Sequence, residues 1–192
     1  MGQKVSGRNK FENFKPLINL FIIVFKIFPL TFRKKLFISA RNVNGNKGIA
    51  LRYILLKSIN KNVGDNVSIQ PGCYVFSLEN LIIGNNVSIH PMCYIDATGG
   101  IKIGSDVSIA HGTTILSTSH SFADISHPIK YQEILKAKTT IEDNVWVGAK
   151  ATILYGVTVH SGCVIGATSF INKDVNHNTI LYNDKKTISR IR

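Results

Sequence analysis

The sequence predicts a mainly β fold: a parallel β-helix of about five coils, with a helical cap at its N-terminal end and a long loop between coils three and four. Three observations predict it. Three consecutive 20-residue stretches read as variants of one line, VGDNVSIQPGCYVFSLENLI (63–82), IGNNVSIHPMCYIDATGGIK (83–102) and IGSDVSIAHGTTILSTSHSF (103–122). The line resumes as IEDNVWVGAKATILYGVT (141–158) and VHSGCVIGATSFINKDVN (159–176), now at a period of 18. Inside each line an aliphatic residue recurs every six positions, from Val63, Ile69 and Val75 through to Val159, Ile165 and Ile171, and all fifteen are Ile or Val.

A strict period of six scatters side chains around an α-helix of 3.6 residues per turn. It suits short extended segments joined by tight turns, three to a coil, with β-branched residues stacked on their counterparts one coil above. Four residues after each aliphatic comes a compact residue in fourteen of the fifteen hexads, with Glu79 the exception. Gly64, Gly84, Gly104, Gly148 and Gly166 follow the aliphatic where a turn is needed, and Asn66, Asn86, Asp106 and Asn144 add turn chemistry. The two extra residues of the longer coils fall near 78–81, 98–102 and 118–122. With strands about 4.8 Å apart, five coils make a prism about 24 Å tall.

The ends of such a prism expose backbone and core, so both need covering. In residues 1–62 the runs LINLFIIVFKIFPL (17–30) and GIALRYILLKSI (48–59) predict two helices divided by the loop RNVNGNKG (41–48). Residues 177–192 must close the other end, with a strand over TILY (179–182) and a short basic tail. The chain thus divides into a basic helical cap (1–62), a β-helix (63–176, loop 121–140) and a C-terminal cap (177–192).

Charge separates these parts. Residues 1–62 hold 13 Lys/Arg against Glu12 alone, 13 − 1 = +12, whereas residues 63–192 hold 10 of each sign. The apolar run Leu17–Phe25, broken by Asn19 and followed by Lys26 and Pro29, is short of the roughly 20 residues of a spanning helix. No small-x-small cleavage site follows it, and Met1, Gly2 and Ser6 match a myristoylation pattern too loose to weigh. Two readings of the basic segment stand side by side: helices that only cap the prism, or a cationic amphipathic surface in peripheral contact with the inner face of a membrane. Nucleic acid is not expected as a partner, because no recognisable binding motif is present. Cys73, Cys93 and Cys163 are too scattered for a disulfide framework or a metal site. They read as buried space-fillers in a reducing, cytoplasmic compartment.

Between His120 and Ile141 the hexad rule lapses for SFADISHPIKYQEILKAKTT (121–140). That is long for a loop in a compact domain, and long loops leaving a rigid scaffold carry function or are disordered. Phe122, Ile125, Pro128, Ile129, Tyr131 and Ile134 make it too apolar for a linker, so it is expected to pack on its own coil or on a neighbouring copy.

The segments STSHSFAD (117–124), HP (127–128), NVWVGA (144–149), VIGA (164–167) and NKD (172–174) resemble the hexapeptide-repeat acyltransferases, in the branch with maltose, galactoside, xenobiotic and surface-polysaccharide O-acetyltransferases. The resemblance runs through residues 63–176. It implies a left-handed β-helix, an exception to the usual right-handed crossover. It also implies a homotrimer, with acetyl-CoA held in the cleft between adjacent prisms.

Carried onto this sequence, the resemblance makes His120 the general base that takes the proton of an acceptor hydroxyl. It sets Trp146, Gly148, Ala149, Gly166 and Ala167 beside the pantetheine arm, and Lys173 and Arg190 near the nucleotide phosphates. On the acceptor side it points to His90, Asp96, Asp124 and Tyr131. The four small residues are also ordinary turn residues, and Asp96 also fits an Asx turn opening the corner that ends at Gly100. Two departures stand out: YNDKKT (182–187) replaces the Gly-x-Pro-Ala-type turn of the relatives, and Ile89, next to His90, stands where sugar-acetylating relatives keep an asparagine. His111, His120 and His127, at spacings of 9 and 7, do not form the close pair of a zinc site, so no metal is expected.

The expected activity is acetyl-CoA-dependent O-acetylation of a saccharide in cell-surface polysaccharide biosynthesis. The alternatives are N-acylation of an amino sugar or antibiotic, and a non-catalytic trimeric scaffold whose basic segment binds membrane.

Overall fold

A computed structural model describes residues 7–182. Three helices precede the β body: α1 (Gly7–Lys26), α2 (Leu30–Ser39) and α3 (Gly45–Ile59), with a short 3-10 turn at Ala40–Asn42 before α3. The sequence reading anticipates two. The extra break falls at Ile27–Pro29, where Pro29 at φ −54°, ψ 146° becomes the N-cap of α2; proline disfavours helix in the residue before it and starts the next helix well.

The body is a left-handed parallel β-helix with three faces. One face stacks Ser68–Ile69, Ser88–Ile89, Ser108–Ile109, Trp146–Val147, Val164–Ile165 and Ile180–Leu181 in parallel register. The next stacks Tyr74–Phe76, Tyr94–Asp96, Thr114–Leu116, Thr152–Ile153 and Phe170–Ile171. The third stacks Leu81–Ile83, Ile101–Ile103, Thr139–Ile141 and Thr158–Val159, extended at its two ends by single bridges at Val63 and Val175. These are called the serine, aromatic and closing faces below. There are five complete coils, and residues 175–181 begin a sixth.

The hexad aliphatics fill the interior almost without exception: Ile69, Ile89, Ile109, Val147 and Ile165 are all 1% exposed or less. The exception at Glu79 has a simple origin. The two extra residues of the longer coils lie before the closing face, in a 3-10 turn at Leu78–Asn80 in the first coil. The inward slot is therefore taken by Leu81, and by Ile101, Thr139 and Val157 below it, all buried; Glu79 points outward to Lys34. Turn positions Asn66, Asn86 and Asp106 adopt φ of 55–58°, a left-handed conformation that Asn and Asp tolerate. Asn66 Nδ2 donates to Asn86 Oδ1 and Asn86 Nδ2 to Asp106 Oδ1, both at 3.0 Å, so the tolerated conformation is also laddered between coils. Cys73, Cys93 and Cys163 are free and buried, each with Sγ 3.0–3.2 Å from a carbonyl of the next coil.

Side chains of α3 and of its C-cap Asn60 satisfy the open upper edge of the first coil. Arg52 Nε donates to Ile69 O at 2.8 Å, Tyr53 Oη to Gly64 O at 3.1 Å, and Asn60 Nδ2 to Leu78 O and Leu81 O at 2.7 Å each. An unpaired strand edge would otherwise invite another chain. Apolar packing covers the same end, through Leu55 and Leu56 of α3, Ile18 and Ile22 of α1, and Phe37 of α2. At the other end, Ile180–Leu181 lies within the predicted strand and adds a rung beneath Val164–Ile165.

Candidate active site

The coil breaks at the corner between the aromatic and closing faces. After Leu116 the chain leaves the third coil, and Thr118–His120 pairs antiparallel with Ile134–Lys136, Ile134 opposite His120. The expected loop is therefore a hairpin whose first strand ends on His120. Its side chain is exposed, which an imidazole needs if it is to meet an acceptor.

Asp96 braces this strand from the coil above. Its Oδ2 accepts from Thr118 Oγ1 at 2.7 Å, and its carbonyl from Ser117 N at 3.0 Å and Ser117 Oγ at 2.6 Å. Oδ1 accepts from Thr98 N at 3.0 Å and Thr98 Oγ1 at 2.5 Å, which is the Asx turn among the sequence alternatives. Burial alone would raise this carboxyl, but the Thr98 and Thr118 hydrogen bonds outweigh it and leave it below the usual carboxylate range. Both oxygens are engaged, so Asp96 holds the His120 strand in place.

The tip of the hairpin is organised by Asp124 and Gln132. Asp124 accepts from Ser126 N at 2.8 Å, Ser126 Oγ at 2.6 Å and His127 Nδ1 at 2.8 Å. Those bonds, Ser126 first, hold its carboxyl below the usual range. Gln132 Nε2 ties the tip together by donating to Asp124 O and His127 O at 2.6 and 2.9 Å. Tyr131 projects at 76% exposure, and Phe122, Ile125 and Ile134 are exposed beside it. Within one chain, then, the apolar side of the hairpin does not pack on its own coil.

The residues expected around the cofactor lie on other parts of the prism. Trp146 stands outward from the serine face at 54% exposure. Gly148, Ala149, Gly166 and Ala167 follow at the corner between the serine and aromatic faces. His90 occupies that same corner two coils above Gly148, its N–H donating to Ile109 O at 2.9 Å. Lys173 is exposed on the His120 corner, two coils below the hairpin. Arg190 and the segment 183–187 lie outside the described residues. A single chain thus separates the candidate base, with Asp96, Asp124, Tyr131 and Lys173, from Trp146, the small-residue corner and His90.

The small residues also answer a packing demand. A Cβ on Gly148 would sit 2.5 Å from Ala167 N and 2.7 Å from Gly166 C, inside the backbone of the next coil. Gly148 is required by coil stacking whatever binds beside it.

Among the described residues one group has a metal-ligating donor set, which the sequence reading did not bring together: Glu142, His160 and His177, with ligand atoms within 4.8 Å of one another. His160 Nδ1 lies 3.3 Å from Glu142 Oε1, and the ring centroids of His160 and His177 are 4.5 Å apart with the rings tilted by 35°. Ser161 N and Oγ, at 2.9 and 3.0 Å, bond Glu142 Oε2 and are the main cause of its lowered pKa. The group sits on the third corner, after Ile141, Val159 and Val175. The signal was available in the spacing, since His160 follows Glu142 by one 18-residue coil.

Repeat, coil geometry and interrupted corner together define a hexapeptide-repeat protein with the fold of the transferases of that name. The bacterial transferase hexapeptide (six repeats) family matches residues 138–173 of this chain. The chain is 32% identical over 130 residues to galactoside O-acetyltransferase of Escherichia coli K12, covering 67% of this chain and 63% of that enzyme. It spans less than two thirds of the length of the curated relatives it matches first. Among solved structures, a maltose O-acetyltransferase from Clostridium difficile 630 superposes with a TM-score of 0.67 at 25% identity, over 78% of each chain. A galactoside acetyltransferase in complex with coenzyme A gives 0.58 at 28% identity, over 77% of this chain and 72% of that one.

Proposed function

We propose that the protein transfers an acetyl group from acetyl-CoA to a hydroxyl of a saccharide, in the assembly of a cell-surface polysaccharide, with His120 as general base. The observation that carries the reading is an exposed imidazole fixed at the one large interruption of the β-helix, on a strand braced by Asp96 through Thr118 and Ser117. The likeness to galactoside and maltose O-acetyltransferases supports the acceptor class, and the coenzyme A complex of a structural relative supports the donor.

The chemistry needs little machinery. A thioester is already activated, so the acceptor oxygen attacks its carbonyl carbon directly as its proton passes to the neutral imidazole. The tetrahedral intermediate collapses, the C–S bond breaks, and the coenzyme A thiolate takes the proton back from the imidazolium. No acyl-enzyme forms, and His120 ends as it began.

The separation of site residues within one chain supports a homotrimer. A neighbouring prism would bring its Trp146 and small-residue corner against the His120 corner of the first and close a cleft around the donor. It would also cover Phe122, Ile125 and Ile134, exposed in the single chain. The site of action in this reading is the cytoplasm, at the inner face of the membrane where lipid-linked glycans are built.

The test is recovery of product. Labelled acetyl-CoA and a panel of saccharides should yield a base-labile acetyl ester on one of them. Label recovered only on an amine, or none transferred to any acceptor, contradicts the reading.

A further inference from the structure

The first two helices carry an apolar surface that the chain leaves uncovered. Ile18 and Ile22 turn inward and are buried, yet the opposite side of α1 and the turn into α2 stay apolar, with Leu20, Ile23, Ile27, Phe28, Leu30 and Phe32 exposed, Ile27 at 79% and Ile23 at 63%. Between residues 17 and 32 one exposed side chain carries charge, Lys26. A helix apolar all round is normally buried all round, and a contiguous exposed patch marks an interaction surface.

We propose that this surface docks on an anionic lipid bilayer, with α1 and α2 lying along it. Charge selects the partner. Residues 1–62 supply 13 − 1 = +12 and residues 63–192 supply 10 − 10 = 0, so the excess positive charge belongs to the segment that bears the patch, less the buried Arg52 and the cations Lys15, Lys57 and Lys34 that pair with Asp65 and Glu79. Lys26 and Lys35 are exposed at its margins, the arrangement of an interfacial segment whose apolar side enters the headgroup boundary while its cations meet anionic lipid. A second copy of the same surface would bring like charges together, which disfavours self-association through it. No helix among the described residues is long and apolar enough to cross a membrane, so the contact is lateral. A cleft of about 560 Å³ opens beside this surface between α1, α3 and the first two coils, walled by Phe14, Leu17 and Phe21 on the helix side and by Asn66, Ser68, Asn86 and Ser88 on the other. The inference concerns where the molecule sits and stands whether or not the acyl-transfer reading does.

Co-sedimentation of the full chain with vesicles of phosphatidylglycerol and phosphatidylcholine, against phosphatidylcholine alone, tests it. Wild type should pellet with the anionic vesicles and largely stay in solution with the neutral ones. The double variant Ile23→Asp/Ile27→Asp changes two exposed side chains; checked for unchanged thermal unfolding, it should bind anionic vesicles at least about tenfold more weakly. Lys26→Gln/Lys35→Gln, a pair that cannot disturb the core, should narrow the difference between the two lipid mixtures. Wild type that ignores anionic vesicles overturns the proposal, as does an aspartate variant that binds them as well as wild type. So does sedimentation velocity in which wild type forms a larger assembly than the aspartate variant while neither binds lipid, because a second copy would then be the occupant.

Discussion

Arg52 shows how one side chain joins the two halves of this molecule. It is 1% exposed, and its guanidinium donates to the carbonyls of Ile69 at 2.8 Å, Ala40 at 2.8 Å and Val43 at 2.8 Å. Burial lowers its pKa, but a guanidinium remains charged throughout the accessible range, so the cation is retained for its fork of donors. Removing it takes a donor from the buried carbonyl of Ile69 and from the part-buried one of Val43, while Ala40 O keeps Val43 N at 3.2 Å; each acceptor left unpaired costs about 1–3 kcal/mol. Arg52→Met should therefore lower unfolding stability by about 3 kcal/mol or more, read as a shift in denaturant midpoint at unchanged slope. A loss below about 1 kcal/mol would mean that the cap does not depend on this residue. A count of charges could not reveal this, because it registers Arg52 as one more surface cation of a basic segment. The same limit applies to Asp96, whose carboxylate serves Thr98 and Thr118 in ways that depend on which strand lies beside it.

At the scale of elements, the helices and the first coil are clamped at Asp65. Lys57 of α3 and Lys15 of α1 both reach its carboxylate, the latter at 2.9 Å. Their hydrogen bonds, Lys57 first, bring its pKa down from 3.8 to about 2. A carboxyl depressed in the folded state stabilises it above the unfolded pKa, and that stability is lost as pH falls through the folded one. Stability should therefore drop as pH is lowered from 3.8 towards about 2, and Asp65→Asn should make the drop shallower. Identical pH profiles for the two proteins would show that the clamp contributes nothing. Element placement was partly legible in sequence. The six-residue period located the strands because every inward slot must be aliphatic or small. It misassigned only the slots after the inserted turns, where Glu79 was counted in place of Leu81, since a fixed period cannot say on which side of a slot two extra residues fall. The split between α1 and α2 followed from Pro29, a signal present in the sequence but outweighed by the continuous apolar run around it.

At the scale of the whole molecule, a regular prism is nearly silent about chemistry, and its one large interruption speaks. The interruption could be found in sequence because the repeat lapses just after His120. The distribution of the site could not: which corner each residue occupies depends on the coil count, and the separation of His120 from Trp146 and Gly148 emerges only when the faces are assembled. Glu142, His160 and His177 illustrate the converse, distant in sequence yet within 4.8 Å at one corner. On the readings proposed above, the apolar helical end meets a bilayer and the site on the flank is completed by a neighbouring copy.

The account stands on His120. Thiol release from acetyl-CoA should be measured with the best saccharide acceptor for wild type and His120→Ala, both confirmed as folded and of equal assembly state. A general base contributes typically about 10²–10⁴-fold, so the variant should lose at least about a hundredfold in kcat with little change in KM for acetyl-CoA. A variant that keeps full rate would contradict the proposed mechanism.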